Sequence, residues 1–163
     1  AFYLLTYAVT NLGAFAIITL LSQKNDRRME FEDYNGIGFR SPALAFTLSL
    51  FMLSLLGLPL TAGFLGKVLV FRPALEASNS LLTILVVAAV INTAISAYYY
   101  LRLIVVMFFR ERASDWIQPR VPVAVTVALV IAVTGVLYLG IAGDSVIHRF
   151  TQQPATSVVR AER

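Results

Sequence analysis

Gly57-Leu58-Pro59-Leu60-Thr61-Ala62-Gly63-Phe64-Leu65-Gly66-Lys67 runs into Val68-Leu69-Val70-Phe71, and Lys67 is the only charged residue between Leu58 and Phe71. The surrounding chain has 163 residues, 58% hydrophobic and only 13% charged, with a mean hydropathy of +0.78. A soluble domain of this size needs no such apolar content to fill its core, so the chain reads as an integral membrane protein. An ammonium carried into hydrocarbon is costly, and such groups usually face a protein interior or a water-filled cavity along an ion path. A short apolar segment interrupted by Gly and Pro is also the sequence mark of a discontinuous helix that builds a transport site. The expected fold is therefore an all-α polytopic membrane helix bundle around a proton or cation path.

Hydropathy divides the chain into about five transmembrane helices, at 1–21, 42–57, 60–77, 80–109 and 121–142, followed by a polar C-terminal tail at 143–163. Each is judged against the roughly 20 residues that cross a ~30 Å hydrocarbon core. Pro42 suits the first turn of the second helix, where its missing N–H has no partner to lose. In the third, Gly63, Gly66 and Pro73 predict a helix break, because Pro73 has no N–H for the carbonyl of Leu69. The fourth is longer than the bilayer demands and should tilt or emerge near Arg102. The sequence starts inside an apolar stretch without an initiator Met, which reads as the C-terminal part of something longer.

The chain has no cysteine and one histidine, which argues against thiolate-held iron–sulfur clusters, bis-histidine haem and the usual zinc sites. No metal or cofactor site is expected, and any electron transfer belongs to another chain. The net charge of +4 comes from basic residues in loops and the tail, as membrane-flanking residues do, so no nucleic acid is implied. If all five segments cross, the Lys and Arg count favours the side holding Lys24, Arg27, Arg28 and Arg40 as cytoplasmic.

Depth arithmetic at ~1.5 Å per residue puts Asn11, Lys67 and Asn92 all near the bilayer midplane. Thr10, Asn11, Asn92, Thr93, Ser96 and Tyr98 are thus candidates to line a hydrated axis beside Lys67, with the donors and acceptors that a chain of waters needs. For the neutral groups, cross-helix packing is the plainer reading, and both stay open. Lys67 reads as a proton relay: burial works against the ammonium form, so such a lysine can give up its proton. Tyr98, Tyr99, Tyr100 and Arg102 read as an interfacial aromatic belt with a snorkelling arginine. Glu76 reads as an interfacial cap or loop charge, and His148 as a solvated tail residue.

The runs FYLLTYAVTNLGAFA at Phe2 to Ala16, EDYNGIG at Glu32 to Gly38, GLPLTAGFLGK at Gly57 to Lys67 and ISAYYYLR at Ile95 to Arg102 closely resemble the antiporter-like subunits of respiratory complex I. The loop at Glu32 to Gly38 and the run FLGKVLVF look most like the subunit N branch of NADH-quinone oxidoreductase. A lysine rather than a glutamate at position 67 argues against the sister subunit M. The resemblance implies the last five membrane helices of a proton-translocating subunit in a bacterial plasma (inner) membrane, with Lys67 on a discontinuous helix in the proton path. It also implies that NADH, FMN, iron–sulfur clusters and quinone sit in other subunits. Other complex I membrane subunits, the lipid bilayer, protons and water are the implied partners. Family topology would place the Ser22 to Ser41 loop on the periplasmic side, against the charge count. Two alternatives stand beside this reading. One is a subunit of a multisubunit sodium/proton antiporter or related membrane hydrogenase; the other is a passive membrane assembly module.

Overall fold

A computed structural model describes residues 2–22, 31–77, 79–111 and 121–151, with the backbone alone at 2, 32 and 143–151. It is all-helical, with no strand among the described residues. The helices are α1 (Phe2–Leu21), the short α2 (Ile37–Arg40) after a 3-10 turn at Phe31–Tyr34, α3 (Pro42–Leu56), α4 (Ala62–Glu76), α5 (Ser80–Phe109) and α6 (Val123–Thr151). Tyr3–Leu21, Ser80–Phe109 and Val123–Ala142 are long and apolar enough to cross a membrane, and α3 is a shorter apolar helix. Helices α3 and α4 have 15 residues each. At 1.5 Å per residue, either alone covers only about 22 Å of a ~30 Å core.

Helix α3 is the central element, packing against α1, α4, α5 and α6. Its Ala45, Leu48 and Phe51 are fully buried. They meet Ala14 and Ile17 of α1, Leu103 and Met107 of α5, and Leu129 and Val136 of α6 in one core cluster. The chain is apolar nearly all round, so it is this small set of contacts, rather than amphipathic patterning, that sorts the inward faces. Over Leu81 to Ile95, α5 leaves large apolar side chains uncovered, including Ile84, Leu85 and Ile91, as a helix surrounded by lipid or further helices does. At its other end α5 is covered by the Phe31 to Arg40 segment: Gly36 N–H donates to the Val106 carbonyl at 3.4 Å, and Arg102 lies 4.9 Å above the Phe31 ring. The Arg102 contact is a cation–π pair.

The helix break predicted at Gly63, Gly66 and Pro73 is not present. All three lie inside a continuous α4 that runs on to Glu76. Pro73 falls near the last turn, where it costs one backbone bond, and the helix ends normally with the Ala77 N–H on the Pro73 carbonyl. The two glycines serve close packing. A Cβ on Gly63 would overlap the Ser54 carbonyl of α3, and one on Gly66 would press on the Tyr3 ring of α1. The interruption lies earlier, at Gly57 to Thr61, between α3 and α4. Helix α6 continues past Ala142 to Thr151. Lys24, Arg27 and Arg28, and the stretch from Gln152 onward, lie outside the described residues; so does the side chain of His148.

Candidate functional site

The site is built on the way α3 ends. Gly57 has φ +91°, a left-handed conformation that favours glycine. Its N–H donates to the carbonyls of Leu53 and Ser54, at 3.1 and 3.0 Å, and the Leu58 N–H donates to Leu53 at 3.0 Å. This is a Schellman cap, which satisfies the carbonyls of Leu53 and Ser54 and leaves those of Leu55 and Leu56 without backbone donors. The Leu58–Thr61 turn then reverses the chain. The Thr61 N–H donates to the Leu58 carbonyl at 3.1 Å, and the Thr61 hydroxyl donates to the same oxygen at 2.7 Å. Pro59 takes the second position, and Leu60 the third with φ +77°. A positive φ there is the type II pattern, ordinarily given to glycine or asparagine.

Lys67, just over one turn into α4, reaches back to those two leftover carbonyls. Its Nζ donates to Leu56 O at 2.8 Å and to Leu55 O at 3.0 Å, with a longer contact of 3.5 Å to Thr93 Oγ1 of α5. A half-buried cation thus sits at the negative end of the α3 dipole, on carbonyls that take no backbone donor among the described residues. Such charge-assisted bonds are worth about 1.5–3 kcal/mol each, and they offset part of the cost of keeping the ammonium out of water.

A small cavity of about 20 Å³ opens beside the lysine, walled by Thr6 and Thr10 of α1, Ser54 and Leu55 of α3, and Gly63 and Lys67 of α4, together with Tyr3 and Tyr7. Thr10 is buried and donates from Oγ1 to the Thr6 carbonyl at 2.7 Å. Of the candidate axis residues, Thr10 and Thr93 are therefore brought to Lys67. Asn11 turns its amide to the Tyr7 carbonyl at 3.0 Å, Ser96 donates to the Asn92 carbonyl at 2.9 Å, and Asn92 and Tyr98 are exposed. No described hydrogen bond links these four to the lysine. Glu76 pairs with Arg72 on the surface of α4 at 2.8 Å.

Sequence reasoning ended the second helix at Gly57 but missed Ser54 and the two leucine carbonyls. The signal was available: an apolar helix followed by Gly57 and then Pro59 is the mark of a Schellman ending, which says where orphan carbonyls will lie. Gly57 also packs on the lysine itself, since a Cβ there would stand 3.3 Å from Lys67 Cδ and 3.4 Å from Nζ. Gly57→Ala is expected to destabilise the protein by about 1–2 kcal/mol from the left-handed backbone alone, and to displace the Lys67 side chain slightly on its carbonyls. Thermal unfolding of the purified protein checks the first effect, and a structure of the variant checks the second.

Comparison with known proteins gives a consistent picture. The family model described as NADH:quinone oxidoreductase/Mrp antiporter, transmembrane, matches residues 1–96. NADH-quinone oxidoreductase subunit N of Trichlorobacter lovleyi is 44% identical over 154 residues, which cover 93% of this chain and 30% of that protein. Subunit N of Thermobifida fusca is 39% identical, with 98% of this chain and 29% of that protein covered. Among solved structures, respiratory complex I from Thermus thermophilus with bound aureothin contains a chain that superposes with a TM-score of 0.74 at 35% identity. That match covers 90% of this chain and 33% of the other. The chain thus spans about a third or less of the length of the relatives it matches.

Proposed function

The chain belongs to the NADH:quinone oxidoreductase/Mrp antiporter membrane family, and from that premise we propose that it forms part of a subunit N in which Lys67 takes up and releases the translocated proton. One observation carries the reading: the Lys67 ammonium rests on the two free carbonyls at the end of α3, where the helical path is interrupted. Backbone carbonyls accept charge-assisted bonds from a protonated lysine, accept only weaker ones from a neutral amine, and cannot donate to its lone pair. The contact is therefore stronger in the charged state, and loss of the proton weakens the hold on the side chain. Quinone reduction elsewhere in the complex would drive that cycle, with NADH, FMN, iron–sulfur clusters and quinone in other subunits. This chain would then be a non-redox part of a translocase, crossing a bacterial inner membrane several times beside other complex I membrane subunits.

The same contact lends support to a second reading, a passive assembly role in which Lys67 only caps α3. Lys67→Met in the full subunit separates the two. The relay reading expects an assembled complex that reduces quinone but pumps fewer protons per turnover. The assembly reading expects fewer complexes, each pumping normally. Because the family includes antiporters, the sodium dependence of transport in the same vesicles separates a sodium/proton exchanger from a proton pump.

A further inference from the structure

The Ser54 side chain is fully buried, and its Oγ has no hydrogen-bond partner among the described residues. A buried hydroxyl without a partner is unfavourable, and in native proteins the missing partner is commonly an ordered water. Ser54 also walls the small cavity that Lys67 and Thr10 share. A volume of about 20 Å³ is enough for a water, and a water needs two to four polar partners to stay. The groups around this cavity supply them. Thr10 has committed its hydroxyl hydrogen to the Thr6 carbonyl, so its oxygen remains an acceptor. Ser54 can both donate and accept. Two of the three Lys67 N–H groups go to Leu55 and Leu56, while the third has only the 3.5 Å contact with Thr93, at the outer limit of a hydrogen bond.

We propose that this cavity is a binding site for a single water, held by Ser54 Oγ and Thr10 Oγ1 and hydrogen-bonded to Lys67 Nζ. It gives the lysine an exchangeable neighbour on the α1 side. The proposal rests on the reading of Lys67 as a proton carrier and adds to it a direction. The two carbonyls can hold the lysine but cannot pass a proton on, whereas a water can accept a hydrogen bond from the ammonium and donate one to the neutral amine. Hydration of Lys67 then runs through Ser54 and Thr10 rather than along the exposed face of α5, where Asn92 and Tyr98 lie. Gly63 keeps the cell in shape, since a side chain there would overlap the Ser54 carbonyl.

The test uses the full complex, imaged at a resolution that resolves ordered water, alongside its Ser54→Ala variant. The proposal expects a water peak within hydrogen-bond distance of both Ser54 Oγ and Lys67 Nζ. It further expects loss of that peak in Ser54→Ala and a lower ratio of protons pumped to quinone reduced. Removing one oxygen leaves the α3 cap and the lysine's carbonyl contacts in place, so assembly should hold. Absence of the peak from the unsubstituted complex overturns the proposal, as does a normal pumping ratio in a variant that has lost it. Lys67→Arg, measured in parallel, keeps the two levels apart. If it stops pumping while Ser54→Ala pumps normally, only the water route fails; if both pump normally, the role given to Lys67 fails with it.

Discussion

Lys67→Arg in the full subunit is expected to assemble, to support quinone reduction, and to lose the protons that pass through this subunit. Arginine keeps a positive charge and several N–H donors, so the carbonyls of Leu55 and Leu56 still have a cation to receive them. It does not deprotonate in proteins, so a residue that must release a proton fails when it is arginine. Losing a positioned proton-transfer group slows its step by roughly 100-fold or more. Lys67→Ala should show the same functional loss with an added structural cost. It leaves two buried-side carbonyls without donors, and each unsatisfied group costs about 1–3 kcal/mol. The expected ranking is therefore equal loss of pumping in the two variants, with lower yield of assembled complex for alanine. Proton uptake per quinone reduced, measured in vesicles and normalised to assembled complex, decides it. Normal pumping by the arginine variant would sink the relay role and leave the lysine as a helix cap.

How far the site was legible in the sequence depends on which atoms build it. Lys67 announced itself as a single charge in an apolar run, and the helices followed from hydropathy because burial in lipid leaves no other way to satisfy the backbone. The boundary between the second and third helices was placed correctly near Gly57, but the further break expected beside the lysine is absent. Gly63, Gly66 and Pro73 carry the composition of a hinge, but a glycine that admits a neighbouring helix and one that bends its own helix look identical in one dimension. Only the contacts with Ser54 and Tyr3 separate them. Direction around the helix was not legible. Counting residues put Asn11 and Asn92 level with Lys67, yet a helix offers all sides at one depth, and both residues face elsewhere. Ser54 stayed hidden because a serine in an apolar helix gives no hint whether its hydroxyl bonds to its own backbone, as that of Ser49 does with Ala45, or points into a cavity.

Gly140→Leu is expected to be among the most damaging substitutions away from Lys67, although it removes no polar group. A Cβ at Gly140 of α6 would overlap the carbonyl of Leu60 and crowd Thr61, so α6 lies directly on the turn that joins α3 to α4. That turn is strained. Leu60 holds φ +77° without being glycine, which costs about 1–2 kcal/mol and persists only where neighbours enforce it. A leucine on α6 would have to lift the helix or move the turn, and overpacking of this kind costs about 1–3 kcal/mol or more. Movement of the turn would carry the last carbonyls of α3 away from Lys67, so pumping per assembled complex should fall together with thermal stability. Gly135 supplies the control on the same helix, because a Cβ there meets nothing within 4 Å. Gly135→Ala should leave both quantities unchanged, or raise stability slightly through better helix propensity. If Gly140→Leu lowered stability while pumping per complex stayed normal, α6 would be a packing element only. A parallel fall in both would make it the brace that keeps the α3–α4 turn, and with it the lysine, in position.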